Sequence, residues 1–354
     1  MNSYRMPAEW ERHRATWIAW PYMESDFPGK LDAVRWAYCE LIRHISQVET
    51  VEILCLNEAL EADVRGRLAR QHITGKIRIH RTPYNRSWLR DSGPIGVRSG
   101  MGARAEYKNH ASFSNAWTSF LFTGWGALPE VELDQGVPQS IARLSDRPLL
   151  SAMTADRLPV LEGGMLDVSG DGLVVVTEEC LLSKKQQRNA GFSKQDYEKI
   201  FSERLGAQHT LWLPWGLQGD DTHGHIDNVA RFIAPRTVVV AATNSQDTEQ
   251  YAQLRENIDY LTSYRTPAGE KLTVIELPLP SARFCDEQRL AASYLNFYFI
   301  NDRVLVPTYN DPKDYKVLGL ISELLPTREV IGIYCGDWIL GGGTLHCSTQ
   351  QEPV

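Results

Sequence analysis

Hydrophobic and polar positions alternate in blocks along this chain. Residues 51–56 (VEILCL) form an apolar run of strand length, and residues 58–71 then place Leu60, Val64 and Leu68 at helical spacing. A second strand begins at 77–79. The cycle returns with a strand at 172–176, a helix at 194–205 and a strand at 210–213, the helix carrying apolar Tyr197, Ile200, Phe201 and Leu205. It returns again with a strand at 237–242 and a helix at 249–264, and closes with a strand at 303–307, a helix at 313–325 and a strand at 330–333. Four cycles are visible, and a fifth is expected within the weakly patterned residues 103–159. Repeated strand–helix–strand units predict an α/β architecture. The periodicity alone leaves a doubly wound sheet open, although no GxGxxG follows an early strand. Low-complexity tracts and Ser/Gly linkers are absent, so residues 1–354 are expected to fold as one domain.

Composition narrows the function classes. With 37 basic and 44 acidic residues the net charge is −7, which argues against a nucleic-acid binder and mildly favours a cationic small molecule. The N-terminal segment has no apolar stretch of the kind that directs secretion, and nothing approaches the length of a membrane helix. The six cysteines (39, 55, 180, 285, 335 and 347) lie at least twelve residues apart, with no CxxC pair. They suggest neither a metal clip nor a disulfide scaffold, and the expectation is a reduced, cytoplasmic protein.

Four short segments combine reactive side chains with turn glycines. In Trp88-Leu89-Arg90-Asp91-Ser92-Gly93-Pro94, a solvated turn is the plain reading; the functional one sets a carboxylate beside an aromatic platform, which suits a planar cation. Glu162, followed by Gly163 and Gly164, is either surface decoration or a buried acid that orients a histidine. Residues 219–227 (GDDTHGHID) gather two histidines and three acids, a density that should perturb their pKa values. If extended, this segment projects His225 and Asp227 on the same side. Near the C-terminus, Gly341, Gly342 and Gly343 precede His346 and Cys347, where close backbone approach to a ligand could present the Cys347 sulfur to a cleft. If the chain is extended there, His346 points away from its neighbour's sulfur, so it is not the expected base.

Taken together, WxRDxGP, LEGG, GHxD followed by NxxRF, SYxNFY at 293–298 and GGGxxHCxTQQ resemble the agmatine deiminase family. These are also called the Porphyromonas-type peptidyl-arginine deiminases and belong to the guanidino-group-modifying enzymes. The motifs span nearly the whole chain; each is weak alone, and five in order are specific. The resemblance implies a five-bladed pseudosymmetric α/β propeller, the pentein fold, built of five ββαβ-type units around a central channel. It implies Cys347 as nucleophile, His225 as general acid/base, Glu162 as the acid orienting the histidine, and Asp91 and Asp227 as the carboxylates gripping a guanidinium. The expected reaction hydrolyses agmatine to N-carbamoylputrescine and ammonia through a covalent amidino-cysteine, with no cofactor and no metal. Cysteine suits it by supplying an anionic nucleophile near neutral pH, its pKa lowered further by a bound cation. The implied partner is a small cationic guanidino compound, with neither nucleic acid nor membrane involved; assembly into a homo-oligomer stays open.

The substrate tail is less defined. Trp88, Asp220 and Asp221 are candidates for holding a primary ammonium, whereas Arg86 could instead meet the carboxylate of free or C-terminal peptidyl arginine. Two rival readings remain. THGHID at 222–227 resembles the zinc motif of metallo-β-lactamase-like hydrolases, but Asn228 stands where that motif continues with His. The other is a guanidino-ligand binder on the same scaffold.

Overall fold

The computed structural model describes residues 4–99, 115–128, 130–151, 158–244 and 248–354. Among them, five sheets of three or four strands follow one plan, beside a small hairpin, Arg283–Cys285 with Gln288–Leu290. Each sheet pairs two strands antiparallel and adds a parallel strand reached through helix. Thus Asp167–Val168 pairs with Leu173–Thr177, and helices Glu178–Leu182 and Lys194–Ile200 lead to His209–Leu213. Ala230–Ala234 pairs with Thr237–Ala242, and helix Glu249–Ser263 leads to Thr273–Pro278. Tyr298–Ile300 pairs with Arg303–Thr308, and helix Asp314–Leu324 leads to Glu329–Tyr334.

The expected fifth cycle lies partly outside the described residues. Its described part is strand Ile95–Ser99 antiparallel to Asn115–Ser119, helix Val137–Ser145 and parallel strand Leu149–Ser151. The remaining sheet joins the two ends of the chain. Its C-terminal strand Thr349–Pro353 runs antiparallel to His13–Ala19, followed through helices Leu31–Ser46 and Glu58–Arg70 by the parallel strands Thr50–Cys55 and Ile77–Arg81. This pairing anchors Cys347 two residues before a strand held by the N-terminus.

Sequence explains the elements locally. The central parallel strands are apolar on both faces, and Val174, Val175 and Val176, like Val238 and Val240, are fully buried. Each such side chain contributes about 1.5–3 kcal/mol on removal from water. Asn57, Thr177 and Thr248 each accept a backbone N–H of the following first turn and start their helices. The helix expected over 194–205 changes character at Phe201: Phe201–Leu205 is π-helical and ends at Gly206, whose φ of +70° breaks the run. No helix among the described residues is long and apolar enough to cross a membrane.

Candidate active site

The four reactive segments converge. Asp91 rides on a single helical turn, Leu89–Ser92, that follows the strand Ile77–Arg81. Arg90 does not pair with it; its guanidinium turns the other way, to Gln351 Oε1 at 2.7 Å and Glu9 Oε2 at 3.4 Å. Asp91 accepts instead from Gly164 N and from Trp125 Nε1, both at 2.9 Å. Glycine at 164 is a packing requirement, since a Cβ there would stand 2.4 Å from His225 Nδ1 and 3.0 Å from Asp91 Oδ1. Gly343 is equally constrained, with 2.8 Å left to Cys347 Sγ.

The segment after Gly224 is not extended. Ile226–Asn228 forms a 3-10 turn and the strand begins at Ala230, yet His225 and Asp227 are both fully buried in the same site. His225 Nε2 lies 3.0 Å from Glu162 Oε2, while its Nδ1 is buried, makes no hydrogen bond, and stands 3.9 Å from Asp91 Oδ2. Glu162 is in turn held by Arg188, which donates from Nε and Nη2 at 3.1 Å. Asp227 Oδ2 meets His346 Nδ1 at 2.8 Å and the Cys347 sulfur at 3.4 Å; its Oδ1 is buried without a partner. The carboxylate with the unused acceptor thus adjoins the sulfur, and the unused imidazole nitrogen adjoins Asp91.

Electrostatics divide the roles. Burial opposes charge on His225, but Asp91, Glu162 and Asp227 outweigh it and raise the imidazole to about 9, so it is an imidazolium at neutral pH. Burial likewise works against Glu162 and Asp227, yet His225 with Arg188, and His346, respectively hold these carboxyls below the usual range. Asp91 goes the opposite way, pushed by burial up to about 6. The expectation of an anionic Cys347 in the ligand-free protein does not hold. Burial, with Asp227 and Asp91 nearby, pushes its thiol well above the ordinary range, so it rests protonated.

Above this group opens a cavity of about 300 Å³, lined by Trp88, Asp91, Trp125, Asp221, Arg86 and Cys347 among others. Trp88 is buried against Phe27, and Asp221 is exposed at the mouth beside Gly342. Asp220 does not line the cavity and leaves the set of tail-binding candidates. Its Oδ1 accepts from Thr222 N and Oγ1, and its Oδ2 from His225 N, so both oxygens are spent fixing the turn that carries His225. Arg86 lines the cavity but is ion-paired to Asp26, leaving it little charge for a carboxylate. The zinc-like histidines take separate partners, His223 facing Ser183 and Glu179 while His225 faces Glu162 and Asp91. Among the described residues no three His, Cys, Asp or Glu side chains are grouped to hold a metal ion.

The model of the Porphyromonas-type peptidyl-arginine deiminase family matches residues 5–353. The chain belongs to this family. It is 30% identical to the agmatine deiminase of Pseudomonas aeruginosa strain LESB58, over 100% of this chain and 96% of that one. Among solved structures it is similar to an agmatine deiminase of Enterococcus faecalis, at 28% identity and a TM-score of 0.86, covering 99% of this chain and 96% of that one. A Cys-to-Ser variant of a C. jejuni agmatine deiminase with substrate bound matches at 26% identity and a TM-score of 0.85, with the same coverage.

Within this family member, several residues that complete the site escape the motif reading. Glu9 accepts from His346 Nε2 at 2.8 Å and Arg231 Nη2 at 2.9 Å, and Arg231 also donates to Asp167. A buried chain of polar contacts therefore runs from Asp167 through Arg231, Glu9 and His346 to Asp227. Residues 345–348 form a turn rather than an extended segment, and His346 Nδ1 meets the same Asp227 oxygen that the Cys347 sulfur contacts. Arg231 and His346 do lie inside quoted motifs, and that was the available signal; Glu9 and Arg188 lie in none.

Proposed function

We propose that this protein is a guanidino deiminase that hydrolyses agmatine to N-carbamoylputrescine and ammonia, with Cys347, His225, Glu162, Asp91 and Asp227 as its working residues. The contact of Cys347 Sγ with Asp227, whose Oδ1 has no partner, and the opening of Cys347 and Asp91 onto one cavity, with the unpartnered His225 Nδ1 3.9 Å from Asp91, carry this reading. A planar guanidinium accepts two carboxylates edge-on, which holds its carbon in line with the sulfur. Its positive charge also offsets the two aspartates that keep the thiol protonated, so the thiol loses its proton to solvent as substrate binds.

The thiolate then adds to the guanidinium carbon, giving a neutral tetrahedral adduct. The His225 imidazolium protonates one terminal nitrogen, ammonia leaves, and a cationic amidino-thioether remains. Neutral His225 next takes a proton from water as its oxygen adds to the same carbon. Collapse releases the ureido product, expels the Cys347 thiolate, and sheds the remaining proton to solvent. Glu162, steadied by Arg188, supports the imidazolium whenever His225 carries the proton.

The acids around the cavity favour an amine tail over a carboxylate tail. Asp221 stands at the mouth and Trp88 along the wall, while Arg86 is neutralised by Asp26. Release of ammonia from a panel of agmatine, arginine and arginyl peptides tests the choice: agmatine should be preferred by kcat/KM, and faster turnover of arginine or of a C-terminal arginyl peptide would overturn it. The same reading treats residues 1–354 as one cytoplasmic catalytic domain whose sheets are the five blades of a pentein propeller. The repeated order of two antiparallel strands, a helix and a parallel strand supports it.

A further inference from the structure

We infer that Asn296 is a further catalytic residue, the hydrogen-bond donor that stabilises the Cys347 thiolate. Its carboxamide is fully buried, and its Nδ2 lies 3.0 Å from Cys347 Sγ. The orientation is forced. Asn296 Oδ1 accepts from Thr344 Oγ1 at 2.8 Å, His346 N at 3.0 Å and Cys347 N at 3.4 Å, so a flipped amide would set its NH2 against three donors. Of the two amide hydrogens, one serves Asn228 Oδ1 at 3.1 Å and the other is left for the sulfur.

The electrostatic setting gives that hydrogen a task. Asp227 and Asp91 both oppose charge on the sulfur, as does burial, and the Asn296 amide acts against them. A neutral thiol gains little from an N–H donor, whereas a thiolate gains a charge-assisted bond. The donor thus favours the state that attacks carbon, and it does so again when the thiolate is expelled at the end of the cycle. Asn296 is absent from the lining of the open cavity, so its contribution should fall on kcat rather than on substrate binding.

This inference rests on Cys347 being the nucleophile, yet it is testable without substrate. The rate of iodoacetamide alkylation at Cys347, read by peptide mass spectrometry from pH 7 to 10, should fall about tenfold in Asn296→Ala, as one lost hydrogen bond to an ionised group implies. Asn296→Asp keeps the acceptor for Thr344 but replaces the donor with a negative charge, and it should fall further. With agmatine, each variant should lose kcat by about tenfold or more while KM stays within about threefold. If Asn296 only packs, truncation to alanine opens space beside the sulfur, and alkylation should proceed at the wild-type rate or faster; that result overturns the inference. Should Asn296→Ala fail to fold, the uncharged and near-isosteric Asn296→Leu, which removes the donor, decides in its place: slower alkylation supports the donor role, and an unchanged rate refutes it. Absence of agmatine turnover with intact alkylation effects would count against the substrate assignment only.

Discussion

Replacing Asp91 by asparagine should drop the pKa of His225 by about two units or more. The carboxylate lies 3.9 Å from His225 Nδ1, and both side chains are almost fully buried. At an effective dielectric constant of ~20, a charge pair at that distance is worth about 4 kcal/mol, or roughly three pKa units. The remaining Glu162 contact at Nε2 keeps part of the elevation, so His225 should move from about 9 to near its ordinary value. Asparagine also accepts from only one of the two donors that Asp91 serves, Gly164 N and Trp125 Nε1, which costs about 1–3 kcal/mol of stability. The assay is an NMR titration of the imidazole Cε1–H of His225 in each protein, assigned with His225→Gln. Catalysis should follow, with the alkaline limb of kcat displaced toward neutral pH in the variant. A wild-type His225 titrating near 6.5, or one that Asp91→Asn leaves in place, would refute the electrostatic division proposed for the site.

Further outcomes follow from the same geometry. Gly164→Ala should remove nearly all activity while the protein still folds, because the added methyl displaces the His225 ring; activity against agmatine alongside a thermal melt checks it. Arg188→Met should lower stability by about 3–5 kcal/mol, since it leaves the Glu162 carboxylate buried with one partner fewer, as denaturant unfolding would reveal. Because the His225 pKa is raised in the fold, its stabilisation is complete below about 6.5 and is lost as pH rises through about 9. Tm should therefore decline across that window, and less so in His225→Gln. Finally, of the six thiols only Cys285 is exposed, so maleimide should label it fastest. Agmatine should protect Cys347 and leave Cys285 unaffected; protection of Cys285 instead would misplace the binding site.

The hydrophobic pattern revealed those units whose strands are continuous apolar runs, such as residues 237–242, and whose helices carry a clear apolar stripe. It missed the N-terminal strand His13–Ala19, where polar residues interrupt the run, although this strand is the one that closes the fold against Thr349–Pro353. Chemistry was legible where side chains and turn glycines cluster in sequence. It was not legible where buried charge is neutralised from afar: Glu9 lies in no motif, and its pairing with Arg231 across 222 positions, completed by Asp167 and His346, makes burial tolerable. Asp220 illustrates the opposite hazard. It adjoins Asp221 in sequence and shares its charge, yet one carboxylate reaches the cavity while the other builds the turn beneath it.

Ammonia release from agmatine by the Cys347→Ala variant, compared with the wild-type protein at equal concentration and confirmed folding, tests the central claim most directly. The account predicts turnover by the wild type and none above background by the variant. Sustained ammonia release without that sulfur would contradict it.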